Sequence, residues 1–149
     1  MARSITKELI VHGNIHRVFK ALITPSLITK WWFANTAIVL PEENGIYAVS
    51  WGVNEDDPDY VSVATIQEID QPYRLTLVDF KYQSREGKLP FEADLPVEFT
   101  LEDLGNNTKL TLIQHGFPDD DVADEFYKGC VKGWNDTLVS FKNVVEQTE

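Results

Sequence analysis

The sequence predicts an α+β domain in which a strongly curved antiparallel sheet wraps around a long C-terminal helix, with two short helices after the first strand. Three features predict it. A single alternating run opens the chain and is followed by apolar residues at helical spacing. A succession of β-rich runs separated by turn residues fills the middle. A stripe of large apolar side chains at three- and four-residue steps then closes the chain.

Taking the elements in order, Ile5 to Val11 alternates, with Ile5, Lys7, Leu9 and Val11 on one side and Thr6, Glu8 and Ile10 on the other, as in an edge or half-buried strand. Gly13-Asn14 breaks it. From Ile15 to Leu22 the residues Ile15, Val18, Phe19 and Leu22 form one stripe of a short helix that Asn14 is suited to cap. Thr24-Pro25 ends that helix, and Pro25 opens a second one carrying Leu27, Ile28 and Trp31, because a first-turn residue needs no amide donor. Beyond Trp32 the predicted strands are Ala37 to Leu40, Ile46 to Val53, Tyr60 to Ile69, Arg74 to Tyr82, Leu95 to Leu101 and Lys109 to His115. Turns are expected at Glu43-Asn44-Gly45, Asp56-Asp57-Pro58-Asp59, Asp70-Gln71-Pro72, Glu86-Gly87-Lys88 and Leu104-Gly105-Asn106-Asn107. The last helix is predicted over Asp119 to Val145, with Tyr127, Val131, Trp134, Leu138, Phe141 and Val145 on its apolar stripe, and with Pro118 and three aspartates at its start. Gly129 and Gly133 inside that helix each cost about 1 kcal/mol relative to alanine. Close approach to the sheet would explain them, and simple tolerance is the alternative.

Length and composition narrow the function. The 149 residues suit one domain spanning 1–149, and 43% hydrophobic with 25% charged residues is a globular balance. No apolar run approaches the ~20 residues of a membrane span. Met1 to Glu8 has neither the apolar stretch nor the cleavage site of a secretory leader, so export is not expected. Cys130 is the lone cysteine, which excludes an internal disulfide and a cysteine zinc site and fits a reducing, cytoplasmic setting. The net charge of −11 repels phosphate backbones and anionic lipid, and no basic patch offsets it, so neither nucleic acid nor membrane is an expected partner. The acidic clusters Glu55-Asp56-Asp57 and Asp119-Asp120-Asp121 read as solvated turns.

The sequence carries no recognisable catalytic pattern, and it implies neither a cofactor nor a metal. There is no glycine-rich phosphate loop, nucleophile elbow, kinase or zincin pattern. His12 and His16 are separated by the Gly13-Asn14 break, which argues against a metal pair. The stretch from Glu55 to Asp59 lacks the glycine and distal glutamate of a calcium loop. Cys130 reads as a small core residue.

The order of elements and several sequence stretches resemble the START-like (helix-grip, SRPBCC or Bet v 1-like) superfamily, and within it the small proteins similar to the activator of heat-shock protein 90 ATPase. The stretches are Val18 to Pro25 followed by Trp31-Trp32, Ala64 to Leu75, Thr108 to Leu112 leading to Gly116-Phe117, and Gly133-Trp134 with Leu138. Two positions depart from the family pattern. The histidine often found two residues before the glycine of the third stretch is here Gln114, with His115 beside it on the opposite face of the strand, so that histidine's role does not carry over. The usual paired glycine before the second sheet strand is reduced to Gly45, preceded by Asn44.

The resemblance implies a cavity between the concave sheet face and the helix, and alternation assigns its inward side chains. These are Tyr47, Val49 and Trp51; Ala64 and Ile66; Leu75, Leu77 and Asp79; Val97, Phe99 and Leu101; and Leu110, Leu112 and Gln114, faced by Trp134, Leu138 and Phe141. The ligand-binding candidates are Trp32, Tyr47, Val49, Trp51, Ile66, Leu77, Asp79, Val97, Phe99, Leu112, Gln114, Trp134 and Leu138. Asp79, Gln114 and Tyr47 are the expected hydrogen-bonding handles for a small hydrophobic molecule. A bulge would instead turn Asp79 outward and bring Phe80 in. Non-enzymatic binding of such a molecule is the leading expectation. A chaperone ATPase activator, with a chaperone as partner, is the alternative; dedicated activators carry an N-terminal domain for which this chain is expected to have no room. A cyclase or hydrolase on the same fold, and a homodimer, also stay open.

Overall fold

The computed structural model describes residues 2–54, 56–84 and 95–147. Strand β1 (Ala2–His12) is followed by helices α1 (Ile15–Ile23) and α2 (Pro25–Trp31). Strands β2 (Thr36–Val39), β3 (Ile46–Trp51), β4 (Tyr60–Asp70), β5 (Arg74–Ser84), β6 (Val97–Asp103) and β7 (Asn107–Pro118) then lead to helix α3 (Asp121–Gln147). The strands form one seven-stranded antiparallel sheet in the order β1-β7-β6-β5-β4-β3-β2, so the first strand pairs with the last. The fold is the curved sheet and gripped helix that the sequence predicts. The expected turn at Glu86-Gly87-Lys88, and Glu55 of the acidic cluster, lie outside the described residues.

Local chemistry sets the element ends. Asn14 caps α1 by accepting the Arg17 backbone N–H at 3.0 Å, and Pro25 occupies the first turn of α2. The aspartates before α3 divide their roles: Asp120 accepts the Ala123 N–H at 3.0 Å, while Pro118, expected at the helix start, instead ends β7. Gly45 is required because a Cβ there would stand 2.0 Å from the Leu40 carbonyl oxygen. Asn44, in the place of the missing glycine, takes φ 68°, a left-handed conformation that asparagine tolerates.

Curvature comes from bulges, which bend a strand and sharpen its twist. Pairing slips between Val63 and Thr65 and between Ile66 and Glu68 on β4 against β5, and between Arg3 and Ile5 on β1 against β7. Gly116, at φ 86°, sits at the β7 side of the last slip. There the buried face changes from even to odd numbers, with Gln114 and then Phe117 pointing inward.

The C-terminal half of α3 buries Trp134, Thr137, Leu138, Phe141 and Val145, whereas from Asp121 to Gly133 only Ala123 is fully buried. Phe141 meets Trp31 edge-on at 5.2 Å, joining α3 to α2. The helix is also fastened to β1. Tyr127 donates to the Ser4 carbonyl at 2.9 Å, and Lys142 to that of Ile10 at 2.7 Å. Arg3 lies 4.4 Å over the Tyr127 ring and pairs with Asp124 at 2.9 Å.

Replacing the fully buried Phe141 with alanine should cost about 3–5 kcal/mol, read by urea unfolding. The Arg3 guanidinium, then Lys128, hold the Asp124 carboxyl below the usual carboxylate range. A depressed folded pKa stabilises above the unfolded value of about 3.9 and is lost as pH falls through the folded one. The melting-temperature gap between wild type and Arg3→Gln should therefore be larger at pH 7 than at pH 2.5, and a gap that does not change with pH would contradict this.

Candidate functional site

Strands β3 to β7 and helix α3 leave a cavity of about 250 Å³ at one end of the sheet. Because neighbouring strands run antiparallel, this end gathers the last residue of β3 (Trp51), the first turn of pleat in β4 (Tyr60, Ser62), the far part of β5 (Phe80, Tyr82) and the start of β6 (Val97). Gln114 of β7 and Trp32, just past α2, complete the sheet side. Phe126, Gly129, Cys130, Gly133, Trp134 and Thr137 of α3 form the opposite wall.

The rings form a continuous chain. Trp31 stacks on Trp32 at 5.0 Å, Trp32 meets Trp51 edge-on at 5.6 Å, and Trp51 leans on Tyr60 at 5.3 Å. Tyr60 then contacts Tyr82 at 6.0 Å, and Tyr82 stacks on Phe80 at 5.6 Å. Trp134 branches from Trp32 at 5.4 Å and reaches Phe99 at 6.2 Å. All 4 tryptophans of the chain belong to this network.

Polar groups in the described wall are few and uncharged. Trp134 donates its indole N–H to Gln114 Oε1 at 2.7 Å, and Trp51 donates to the Trp32 carbonyl at 2.8 Å. Burial pushes the Cys130 thiol up to about 12. Burial, and secondarily the neighbouring Cys130, raises the Tyr60 phenol above its ordinary value. Both are therefore neutral at physiological pH. Among the described residues no group of three or more His, Cys, Asp or Glu side chains is placed to hold a metal ion, and no helix is long and apolar enough to cross a membrane.

Of the candidates from the sequence, Trp32, Trp51, Val97, Gln114 and Trp134 line the cavity. Tyr47, Val49, Ile66, Leu77, Phe99, Leu112 and Leu138 are buried but do not border it. They share the inward face and lie toward the closed end, where the C-terminal half of α3 fills the space. Tyr47 is not a free handle, because its hydroxyl donates to the Leu22 carbonyl at 2.6 Å. Asp79 is exposed, at φ 54° in the bulge where Asp79 and Phe80 together oppose Ala64. The bulge reverses the alternation, so Phe80 and Tyr82 point into the cavity. His115 faces the other way and meets Glu98 at 3.0 Å.

Several lining residues were missed. Tyr60 and Ser62 continue the even-numbered phase of Ala64 and Ile66, so alternation already contained them. Gly129 and Gly133 are corrected in kind: a Cβ at either would meet nothing within 4 Å, so close approach to the sheet does not explain them. Both are exposed and border the cavity, where the lack of a side chain leaves its mouth clear.

With this geometry, residues 13–146 match the family described as Activator of Hsp90 ATPase homolog 1-like protein. The chain belongs to that family. No curated protein matches it in sequence. A crystal structure of a protein from Mesorhizobium loti superposes with TM-score 0.78 at 19% identity, covering 99% of each chain. The solution structure of an Aha1 dimer from Colwellia psychrerythraea gives 0.72 at 14%, covering 97% of each chain. A putative protein in the dynemicin biosynthetic locus gives 0.74 at 14%, covering 97% of this chain and 47% of that one. At these identities the shared property is the helix-grip fold of the Hsp90-activator-like family.

The raised thiol pKa can be tested directly. At pH 8 the thiolate fraction falls from about a quarter at the free value to ~10⁻⁴ at a pKa near 12. Iodoacetamide should alkylate Cys130 at least ~100-fold more slowly in the native chain than in urea. Similar rates in the two states would show that the thiol is neither buried nor neutral.

Proposed function

We propose that this member of the Hsp90-activator-like family binds a small hydrophobic molecule in the aromatic cavity beneath α3, without catalysing a reaction. The observation that carries the reading is the pair of glycines at the cavity mouth. Each lowers helix stability by about 1 kcal/mol relative to alanine, and neither is required by a neighbour. A sequence that keeps helix-weakening residues where they hold a passage open is better explained by a cavity in use than by imperfect packing. Seven aromatic rings in the described wall supply the apolar contact area, and Gln114 supplies a polar handle. The structural neighbour encoded in the dynemicin locus adds a link between this fold and small-molecule biosynthesis. The free, partly buried Cys130 fits a reducing cytoplasmic setting.

A second reading comes from the family description and from the Aha1 dimer: a chaperone partner, with a second copy of the chain as a further partner. Clear stimulation of a purified heat-shock ATPase by this protein would favour it over ligand binding.

The glycines separate use from tolerance. Gly133→Ala should raise stability by about 1 kcal/mol and still bind the uncharged fluorescent probe N-phenyl-1-naphthylamine. Gly133→Trp should fold, because its side chain starts in open space, but should abolish the probe's emission increase. Undiminished probe binding by Gly133→Trp would mean that the cavity is not where the probe goes.

A further inference from the structure

The described wall of the cavity contains no aspartate, glutamate, lysine, arginine or histidine. Its polar side chains are a buried amide, four hydroxyls from Tyr60, Ser62, Tyr82 and Thr137, the tryptophan indole N–H groups and the Cys130 thiol. Gln114 is 5% exposed, and its orientation is set by its neighbour: an indole nitrogen can only donate, so the atom that Trp134 meets at 2.7 Å is Oε1. The amide nitrogen is thus left to find acceptors. The one it has among the described residues is the Leu95 carbonyl at 3.4 Å, longer than a normal N–H···O bond. An NH₂ group carries two hydrogens, so Gln114 has a second donor at the cavity wall with no acceptor among the described residues.

We propose that the ligand is an uncharged, planar molecule of about two fused rings bearing a carbonyl-type acceptor, which docks on the Gln114 amide. This rests on the ligand-binding reading above and narrows it. Size guides the ring count: about 250 Å³ is the space of roughly eight waters at ~30 Å³ each, enough for a two-ring aromatic with one short substituent. The described wall offers a charge no partner. A buried ion without a counter-ion costs far more than a neutral group, and the same apolar surroundings already disfavour the ionised forms of Tyr60 and Cys130. An anion also meets the field of a chain with net charge −11. A cation is drawn by that field and by the ring faces, but no carboxylate in the described wall compensates its lost hydration.

Four compounds with one ring system test this on the full chain at pH 7, by displacement of N-phenyl-1-naphthylamine: naphthalene, 2-acetonaphthone, 2-naphthoate and 2-naphthylmethylammonium. 2-Acetonaphthone should bind about fivefold more tightly than naphthalene, the usual net yield of one hydrogen bond. It should also bind at least ~10-fold more tightly than the carboxylate and the ammonium. Gln114→Met, which keeps the side-chain length, should remove the advantage of the ketone over naphthalene. A charged compound binding as well as the ketone overturns the proposal, as does a ketone no better than naphthalene. An advantage that survives in Gln114→Met overturns the docking group. If none of the four compounds binds, the ligand-binding reading itself fails. The four compounds decide the neutrality of the ligand on wild type alone, should the variant not fold.

Discussion

The hydrogen bond from the Trp134 indole to Gln114 Oε1 ties the helix to the sheet at the boundary between packed and open interior. Trp134 is 7% exposed and Gln114 5%, so each would be a costly orphan without the other. The same tryptophan leans on Trp32 and meets Phe99 edge-on, which sets the depth at which α3 enters the sheet. On one side of this contact, Leu138, Phe141 and Val145 are buried in the concavity. On the other side, the helix presents Gly129, Cys130 and Gly133, and space remains. The site therefore begins where the clamp ends.

That division shows how the fold holds a cavity without losing its core. Strands β3 to β7 are long enough for their inner faces to serve both ends: Ala64 and Ile66 pack while Tyr60 and Ser62 of the same strand line the opening. The bulge at Asp79 makes this division workable on β5. Without it, strict alternation would send Phe80 and Tyr82 to the convex face and turn an aspartate toward the cavity. One residue in a left-handed conformation exchanges a buried charge for two stacked rings.

Membership in the Hsp90-activator-like family fixes the scaffold but not what it acts on, since one fold hosts many activities. What distinguishes this chain lies in particular side chains. Gln114 places on the inner face a neutral amide whose second hydrogen has no acceptor among the described residues. His115, the neighbouring histidine, is spent on Glu98 at the outer surface. The described wall contributes hydroxyls, one amide and seven rings, and no charged side chain.

Much of the architecture could be read from residue order alone. Spacing of three and four located the helices, Asn14 and Pro25 marked helix starts to the residue, and alternation chose the inner faces of the strands. Those are local properties, set by the periods of helix and pleat. Alternation does not say how far along a strand the opposing helix reaches, so Tyr47, Val49, Ile66 and Leu77 were assigned to the correct face but lie in the closed half. Nor does a run of β-forming residues reveal a bulge, because the extra residue is defined by its partner strand; the facing of Asp79 and Phe80 was decided only by pairing with β4. The glycines of α3 were visible as an anomaly, but their meaning depended on what stands opposite them. Position along the chain thus determined which side chains face inward, and the depth at which α3 is clamped decided which of them border open space.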